Sequence, residues 1–325
     1  MAVSLVHALQ GEEQSETVAV PFVRYRFRFC VMTPLMLPDY AGSMIRGAFG
    51  RALRKTVCMT HQKDCKHSPL YRSCPYTRLF ETPPPATHEL QSFSQIPNAY
   101  VIEPPKWGRH FYERGDSLEF SVVLFGQSVN DLPLVIYSLQ RAFAHDVGHG
   151  TAELISVDAL YGGDECLVYD LNRQNVEKHE KVTRVDVPQS DSVVIEIETP
   201  MRLQHEGRPL GPDGITSRNF MATLLRRLSL LLEFHASERL RFDYSIFVQE
   251  AERFSLEKEL IWRDWTRYSS RQNQKMSLGG VVGKLHFSSL PYVARVLLAA
   301  GTFTHIGKNA SFGLGKYSLQ EGDGL

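Results

Sequence analysis

One order of elements is predicted twice along this chain, and the repetition constrains the fold more than any other feature. In the first half, apolar and basic residues alternate over 22–32, apolar residues recur at helical spacing over 41–58, and patterns of two strands, a helix and a strand follow up to Tyr161. In the second half, a strand pattern at 193–199 opens the same order, which ends with a strand near 315–319. The order βαββαβ is that of the ferredoxin-like, or RRM-like, unit. We therefore predict an α+β fold with two tandem ferredoxin-like domains.

Composition separates these two halves. A charged segment with few apolar residues follows the first set of elements, and a polar segment precedes it. We predict a flexible N-terminus over 1–20, an N-terminal ferredoxin-like domain over 21–165 and a linker over 166–190. A C-terminal ferredoxin-like domain with a glycine-rich loop follows over 191–325. A long, proline-rich insertion with three cysteines, 58–99, interrupts the N-terminal domain.

The first predicted strand also indicates where its charges lie. Arg24, Arg26 and Arg28 alternate with apolar residues. Because successive side chains of a strand point to opposite faces of the sheet, we expect the three arginines on the face away from the core.

Composition excludes several classes of protein. No apolar run approaches the roughly 18–20 residues that a membrane helix needs, and no signal peptide is predicted at the N-terminus. Five cysteines, an odd number, favour a reducing compartment, so we expect a cytoplasmic protein without a membrane partner.

The net charge of zero, from 36 basic and 36 acidic residues, hides a strong asymmetry. The segment 40–63 has five basic residues and no acidic one, and 260–319 has eight basic residues against one acid. Zero net charge therefore disfavours indiscriminate coating of nucleic acid. It is compatible with a localised, salt-sensitive RNA site if the fold brings the two basic segments together at a cleft.

The glycine-rich segment 301–317 is the most informative motif. Glycines let a backbone approach a ligand closely and expose N–H groups that bind anions, and Lys308 and Lys316 add positive charge. A nucleotide-binding P-loop is excluded, because five residues separate Gly301 from Gly307 and no helix follows. A simple flexible turn is the alternative.

Aromatic and arginine side chains are interleaved over 262–272. Aromatic rings stack on unpaired bases and arginines pair with phosphates, which is how single-stranded RNA is held. The alternative is tryptophans in the core with solvated arginines beside them.

Three cysteines with two nearby histidines form the other cluster of metal-binding residue types. A structural zinc site would use Cys58, Cys65, His67 and Cys74 to staple the insertion. The spacing contains no C-x2-C pair, so free or buried thiols are the favoured alternative.

Several of these segments together resemble the CRISPR-associated precursor-crRNA processing endoribonucleases of the RAMP superfamily. The similarity extends over nearly the whole chain. Its marks are Gly42–Leu53, the segment ending at Glu81, Arg267–Gln272, Gly279–Gly283, and the glycine-rich segment from His305 to Gly315.

The resemblance implies cleavage of CRISPR repeat RNA without a metal cofactor. The ribose 2′-hydroxyl attacks the adjacent phosphodiester and leaves a 2′,3′-cyclic phosphate and a 5′-hydroxyl. Such a reaction requires a proton acceptor, a proton donor and stabilisation of the phosphorane charge, which His, Tyr, Lys and Arg supply.

Many relatives have a histidine on or just before the first helix of the N-terminal domain, whereas this chain has none over 31–60. We therefore predict catalysis by His305, with Lys308 as electrostatic stabiliser and Tyr40 and Arg46 as further candidates. The predicted RNA contacts are Arg51, Arg54, Arg267, Tyr268, Arg271, Gln272, Gly307, Ser311, Phe312, Gly313, Gly315 and Lys316.

The predicted partners are CRISPR repeat RNA, the crRNA product and other subunits of a CRISPR effector complex. A non-catalytic subunit that holds crRNA within such a complex is the competing hypothesis. A zinc-stapled structural protein is a third.

Overall fold

The computed structural model describes residues 2–84, 96–269 and 274–322. The chain forms two compact units. The N-terminal unit comprises Phe22–Lys181 and Leu230–Ser237, and the C-terminal unit comprises Met1–Pro21, Val182–Ser229 and Glu238–Leu325.

The strands and helices are numbered in chain order. The strands are β1 (Val3–Ser4), β2 (Thr17–Val20), β3 (Phe22–Thr33), β4 (Leu35–Leu37), β5 (Tyr100–Glu103), β6 (His110–Tyr112), β7 (Ser117–Phe125), β8 (Thr151–Tyr161), β9 (Asp164–Asp170), β10 (Thr183–Asp186), β11 (Val193–Met201), β12 (Gln204–His205), β13 (Arg208–Pro209), β14 (Ser255–Arg263), β15 (Thr266–Ser269), β16 (Gln274–Ser277), β17 (Gly280–Ser288) and β18 (Tyr317–Glu321). The helices are α1 (Leu5–Leu9), α2 (Gly42–Val57), α3 (Pro75–Phe80), α4 (Leu132–His145), α5 (Ser217–Leu231), α6 (Tyr244–Glu250) and α7 (Tyr292–Thr304).

The N-terminal unit contains an antiparallel sheet in the order β5-β7-β3-β8-β9. Helix α2 lies between its first two strands in the chain, α4 lies between the next two, and the two helices pack against each other. Without β9, this is the predicted βαββαβ arrangement. Aromatic rings fill the core, with Phe29 4.4 Å from Phe143 between ring centroids.

The other face of this sheet carries the three arginines of β3, as their alternation predicts. Arg24 pairs with Glu103, Arg26 with Glu165, and Arg28 with Asp158 at 2.9 Å. Asp158 lies on β8, next to β3, whereas Glu103 and Glu165 lie one strand further out, on β5 and β9. Pairs of opposite charge on one face of a sheet stabilise it modestly, and the pairing cancels much of the positive charge that β3 would offer to RNA.

The C-terminal unit repeats the arrangement with a sheet in the order β14-β17-β11-β18. Helices α5 and α7 occupy the two crossover positions, so both predicted ferredoxin-like folds are confirmed. Their buried side chains include Leu224, Leu228 and Leu297.

Residues 1–20 differ from the predicted flexible N-terminus. Strands β1 and β2 join β10 in a three-stranded sheet, and α1 packs against α7. The hydroxyl of Tyr292 accepts a hydrogen bond from the Ser15 N–H at 2.9 Å. Val3, Leu5 and Leu9 are buried. Burial of these apolar side chains therefore orders a segment whose average composition is polar.

The segment 166–190 also differs from a simple linker. It contains most of β9 and all of β10, and the boundary between units falls after Lys181. The Tyr25 hydroxyl is 2.8 Å from His179 Nε2, and the Tyr161 hydroxyl donates to the Glu180 carbonyl. These contacts attach the part of the segment that precedes this boundary to the N-terminal unit.

Within the described ranges, each helix falls short of the length or the apolar character required to cross a bilayer.

Candidate nucleic-acid interface

His305, the predicted catalytic histidine, is fully buried. It follows the last residue of α7 with φ +56°, and its N–H donates to the Gly301 carbonyl at 3.0 Å. An imidazole without solvent exposure cannot touch an RNA bound at the surface. The catalytic role of His305 therefore stays a prediction, and its burial favours a structural role at the end of α7.

Tyr40 and Arg46 are also engaged within the protein. Tyr40 is 3 % exposed, its ring lies 5.0 Å from that of Trp107, and burial raises its pKa well above the ordinary value. The Arg46 guanidinium lies 4.2 Å above the centre of the Phe80 ring. Both side chains join the start of α2 to neighbouring segments, and their catalytic roles stay predictions.

The glycines of the C-terminal loop serve the protein's own backbone. Gly307 has φ +89°, and a Cβ there would lie 2.6 Å from the Arg202 carbonyl oxygen. Gly315 has φ +70°, and a Cβ there would overlap the Ile306 carbonyl. Only glycine combines this backbone conformation with such close approach. The predicted close approach is therefore real, but its partner is protein backbone.

Several N–H groups of this loop are likewise hydrogen-bonded within the unit. The Ile306 N–H donates to Gly315 and the Lys308 N–H to Arg202, both at 3.0 Å. The Lys316 N–H donates to Thr199 Oγ1 at 2.9 Å. These bonds fix the shape of the loop. They also occupy N–H groups that we predicted from the sequence to bind an anion.

Side-chain exposure separates the remaining predicted loop contacts. Phe312 and Gly313 are buried, and Ser311 is half-buried. Lys316 pairs with Glu198 at 3.1 Å. Lys308 is exposed and stands on a backbone fixed by the bond to Arg202. Among these predicted contacts and Lys308, the Lys308 side chain is therefore the most accessible to an RNA phosphate.

One tryptophan of the interleaved segment lies beside the same loop, and the other lies against Gly279. The Trp265 ring is 6.3 Å from that of Phe312, and the Trp262 ring covers Gly279, with 36 % of Trp262 exposed. Ring exposure of this kind permits stacking on a base. Arg267 and Tyr268 lie in β15, whose side chains the structure does not describe, and Arg271 and Gln272 lie outside the described residues.

The three predicted cysteine ligands lie near one another, since Cys58 and Cys74 both contribute to the raised pKa of Cys65. Among the residues that the structure describes, no group of three or more His, Cys, Asp or Glu side chains has the arrangement of a metal site. His67 is 82 % exposed and lies 3.3 Å from Asp64. Cys58, Cys65 and Cys74 are half-buried free thiols, and burial raises the pKa of Cys65 while Arg54 opposes the rise. The structural zinc site and the alternative of free thiols both stay predictions.

An open depression of about 340 Å³ lies at the C-terminal end of α2 in the N-terminal unit. Its lining residues are Arg51, Arg54, Lys55, Cys58 and His61. We call it the basic pocket. No acidic side chain lines it, so its electrostatic potential favours anions.

Two residues of the basic pocket, Arg51 and Arg54, are among the RNA contacts predicted from the sequence. Cys58 is among the predicted zinc ligands. The sequence analysis missed Lys55 and His61. The run of charge over 40–63 was the available signal, but spacing alone did not show that the chain after α2 turns back so that His61 joins the last two turns of the helix. No pattern in the sequence indicates that Arg202 lies beside the glycine-rich loop.

Comparison with known families divides the chain at nearly the same place as the structure. Residues 20–181 match the family model AF_1859_N, which is described as an N-terminal domain. Residues 195–317 match the model of the CRISPR-associated endoribonuclease Cas6. An Archaeoglobus fulgidus protein described as uncharacterized is 26 % identical over 294 residues, which cover 87 % of this chain and 93 % of that protein.

Solved structures share the fold at low sequence identity. A Cas6 product complex aligns over 92 % of this chain and 100 % of that chain, with a TM-score of 0.54 and 12 % identity. Thermus thermophilus Cas6 aligns over 92 % of this chain and 98 % of its own, with a TM-score of 0.51 and 12 % identity. A partial Cas6-RT-Cas1–Cas2 complex gives a TM-score of 0.53 and 14 % identity over 93 % of this chain, which spans 46 % of that longer chain.

Proposed function

We propose that the chain is a CRISPR Cas6-type RAMP protein that binds CRISPR repeat RNA and cleaves precursor crRNA as an endoribonuclease. The observation that carries the proposal is the match of 195–317 to the Cas6 endoribonuclease model. This stretch contains the glycine-rich loop, which presents Lys308 to solvent.

The proposed reaction is a transesterification within the RNA. The 2′-hydroxyl loses its proton and its oxygen forms a bond to phosphorus, while the bond from phosphorus to the 5′-oxygen breaks and that oxygen gains a proton. The products are a 2′,3′-cyclic phosphate and a 5′-hydroxyl. Proton transfer and charge stabilisation by side chains are sufficient for this chemistry, so we propose that it proceeds without a metal.

Exposed cations are the groups best placed for charge stabilisation. Lys308 is the candidate in the C-terminal unit, and Arg51 and Lys55 are exposed in the N-terminal unit. His305 and Tyr40 are buried, which moves the search for proton-transferring groups to exposed histidines such as His61.

Incubation of the purified protein with the repeat RNA of its own locus in EDTA tests the proposal. We expect one cut per repeat and a cyclic-phosphate end, identified by mass spectrometry. A 2′-deoxy substitution at the cut site removes the nucleophile, so it should abolish cutting and leave binding largely intact. Binding without cleavage in EDTA or in Mg²⁺ would contradict the endonuclease assignment.

A non-catalytic crRNA-binding subunit is the second candidate. The burial of His305 and Tyr40 favours it, because both side chains proposed from sequence for proton transfer are inaccessible. For such a subunit we propose partners among other CRISPR proteins, as in the Cas6-RT-Cas1–Cas2 neighbour. Tight binding of processed crRNA with no cutting of the precursor is the result expected of this subunit.

A further inference from the structure

We propose that the basic pocket is a binding site for a phosphate of the RNA backbone, formed by Arg51, Lys55 and His61 on a frame held by Arg54. The inference rests on the proposed function, because it names how this unit contacts the RNA. It adds a site with its ligand chemistry and separates the residues that bind from the residue that supports them.

Helical spacing creates the cationic wall of the pocket. Arg51 and Lys55 are four residues apart on α2, so they lie on one side of the helix, and both are exposed. Like charges at this spacing destabilise a helix slightly. The described salt bridges include none that joins Arg51 or Lys55 to an acid. A bound anion would relieve their repulsion.

Arg54 holds the opposite wall in place. Its guanidinium donates to the carbonyl oxygens of Gln62 and Lys63, the latter at 3.2 Å, and lies 5.7 Å from the centre of the Tyr76 ring. These contacts fold the chain after α2 back against the helix. Arg54 therefore acts as a positioning residue, and its substitution would disturb the pocket as a whole.

His61 has a backbone conformation that costs free energy. Its φ is +51°, in the left-handed region that non-glycine residues rarely adopt, and its side chain is exposed. Strain of this kind persists where the surroundings impose it. Here the bonds from Arg54 to the next two residues impose it and direct an imidazole to the pocket rim. Ring N–H groups donate readily to phosphate oxygen.

The dimensions and chemistry of the pocket fit one phosphate group with its sugar flanks. A volume of about 340 Å³ lies at the lower end of the range for small-ligand sites, and the open shape admits a continuous strand. Arginine and lysine both bind phosphate, arginine with two parallel donors. The absence of acidic side chains from the lining disfavours a divalent cation as the occupant.

Cys58 provides a probe at this site without any substitution. Its half-buried thiol lines the pocket, whereas Cys30 and Cys166 lie on β3 and β9 of the same unit with comparable exposure. Iodoacetamide alkylation of the full chain, followed by peptide mass spectrometry, measures each thiol separately. Saturating repeat RNA, confirmed by gel shift, should slow alkylation of Cys58 severalfold and leave Cys30 and Cys166 unchanged.

Two further alkylation experiments, with inorganic phosphate and with heparin in place of the RNA, identify the source of the phosphate. We expect inorganic phosphate to protect Cys58 weakly and heparin to protect it in part, because both share the anionic chemistry. Protection by inorganic phosphate without protection by bound RNA would assign the pocket to a small phosphate ligand and overturn the proposal. RNA that binds by gel shift but leaves Cys58 fully reactive overturns it as well, while the proposed function stands. Failure of RNA to bind at all rejects both.

Variants test the same site when Cys58 reacts too slowly in the free protein. The double substitution Arg51→Gln with Lys55→Gln should weaken RNA binding about tenfold. It should also flatten the salt dependence of binding, by a slope of about 0.7 for each phosphate that the variant no longer neutralises. The charge-matched control is Arg114→Gln with Lys178→Gln, two exposed cations of the same unit outside the pocket. Equal reductions of affinity in the two double variants would contradict a specific site.

His61→Gly separates ligand contact from folding. Glycine accepts the positive φ without strain, so the thermal midpoint should stay the same or rise. RNA affinity should nevertheless fall severalfold, because the imidazole is removed. Unchanged affinity in a fully folded His61→Gly protein would exclude the imidazole from the site.

Discussion

At the scale of single residues, burial decides which polar side chains are available to a ligand. His305 and Lys308 are three positions apart in one loop, yet His305 is fully buried and Lys308 is exposed. In the sequence the two are equivalent polar residues beside glycines. Their difference arises from packing of the loop against α7 and β11, so a motif identifies the loop without identifying its working side chains.

The substitution His305→Ala tests the structural role of that histidine. The variant retains the unfavourable backbone conformation and lacks the buried ring, so its free energy of unfolding should fall by about 1–3 kcal/mol. RNA cleavage per folded molecule, measured well below the melting temperature, should change less than twofold. Urea unfolding followed by circular dichroism measures the stability. A variant of normal stability with severely reduced cleavage would restore His305 to the catalytic role.

At the scale of elements, the glycine-rich loop combines turn geometry with close approach of two backbones. Its glycines permit positive φ, and two of them also leave room for carbonyl groups of neighbouring segments. Positive φ was predictable from composition, because glycine is the usual residue in such turns. The close neighbours were not, since Arg202 is about a hundred residues distant from Gly307 along the chain.

Two glycine-to-alanine substitutions separate these effects. Gly315→Ala introduces both strain and a clash with the Ile306 carbonyl, whereas Gly207→Ala, at φ +78°, has no atom within 4 Å of the added Cβ. Gly207→Ala should cost on the order of 1 kcal/mol from strain alone, and Gly315→Ala should cost clearly more. Chemical unfolding of both variants measures the difference. Equal costs would show that the loop can move away from the clash.

The elements themselves were largely predictable. Alternation defined β3, helical spacing defined α2, and the order of the elements defined both ferredoxin-like sheets. The extra strands β2, β9 and β10 were not predicted, because their sequences are short and partly polar. Such strands form when a neighbouring strand has free backbone N–H and C=O groups, and the position of that strand depends on the fold.

At the scale of the whole molecule, the zero net charge is a sum over regions in which charged residues have different functions. The arginines of β3 are paired with carboxylates across their sheet, whereas the cations of the basic pocket have no acidic neighbour in its lining. The same residue type therefore stabilises a sheet in one place and attracts an anion in another. Regional pairing, and not the sum of charges, determines where RNA can bind.

Buried tyrosines predict the response of the whole fold to alkaline pH. Burial raises the pKa of Tyr100 to about 12, with Arg46 lowering it in part, and burial also raises the pKa of Tyr40 and Tyr317. The unfolded chain releases each of these protons near pH 10. Between pH 10 and 12 the folded state holds more protons, so stability falls as pH rises, by about 1.4 kcal/mol per pH unit for each such tyrosine.

Urea unfolding at a series of pH values from about 9 to about 11 measures this slope. Tyr100→Phe removes one titrating group, so its stability should depend less steeply on pH than that of the parent protein. Tyrosinate absorbance should rise in two stages, first from exposed tyrosines and then together with loss of circular dichroism. Complete ionisation of tyrosine in a protein that stays folded would refute the prediction.

The sequence by itself determined the order of strands and helices, the face of β3 that carries arginine and the position of the basic segments, because each of these is encoded in local spacing. The tertiary structure decided which polar residues are reachable. It buried His305 and Tyr40, and it placed His61 beside Arg51 and Lys55. These outcomes depend on contacts between residues distant in sequence and on the exclusion of water from the core, neither of which a local pattern contains.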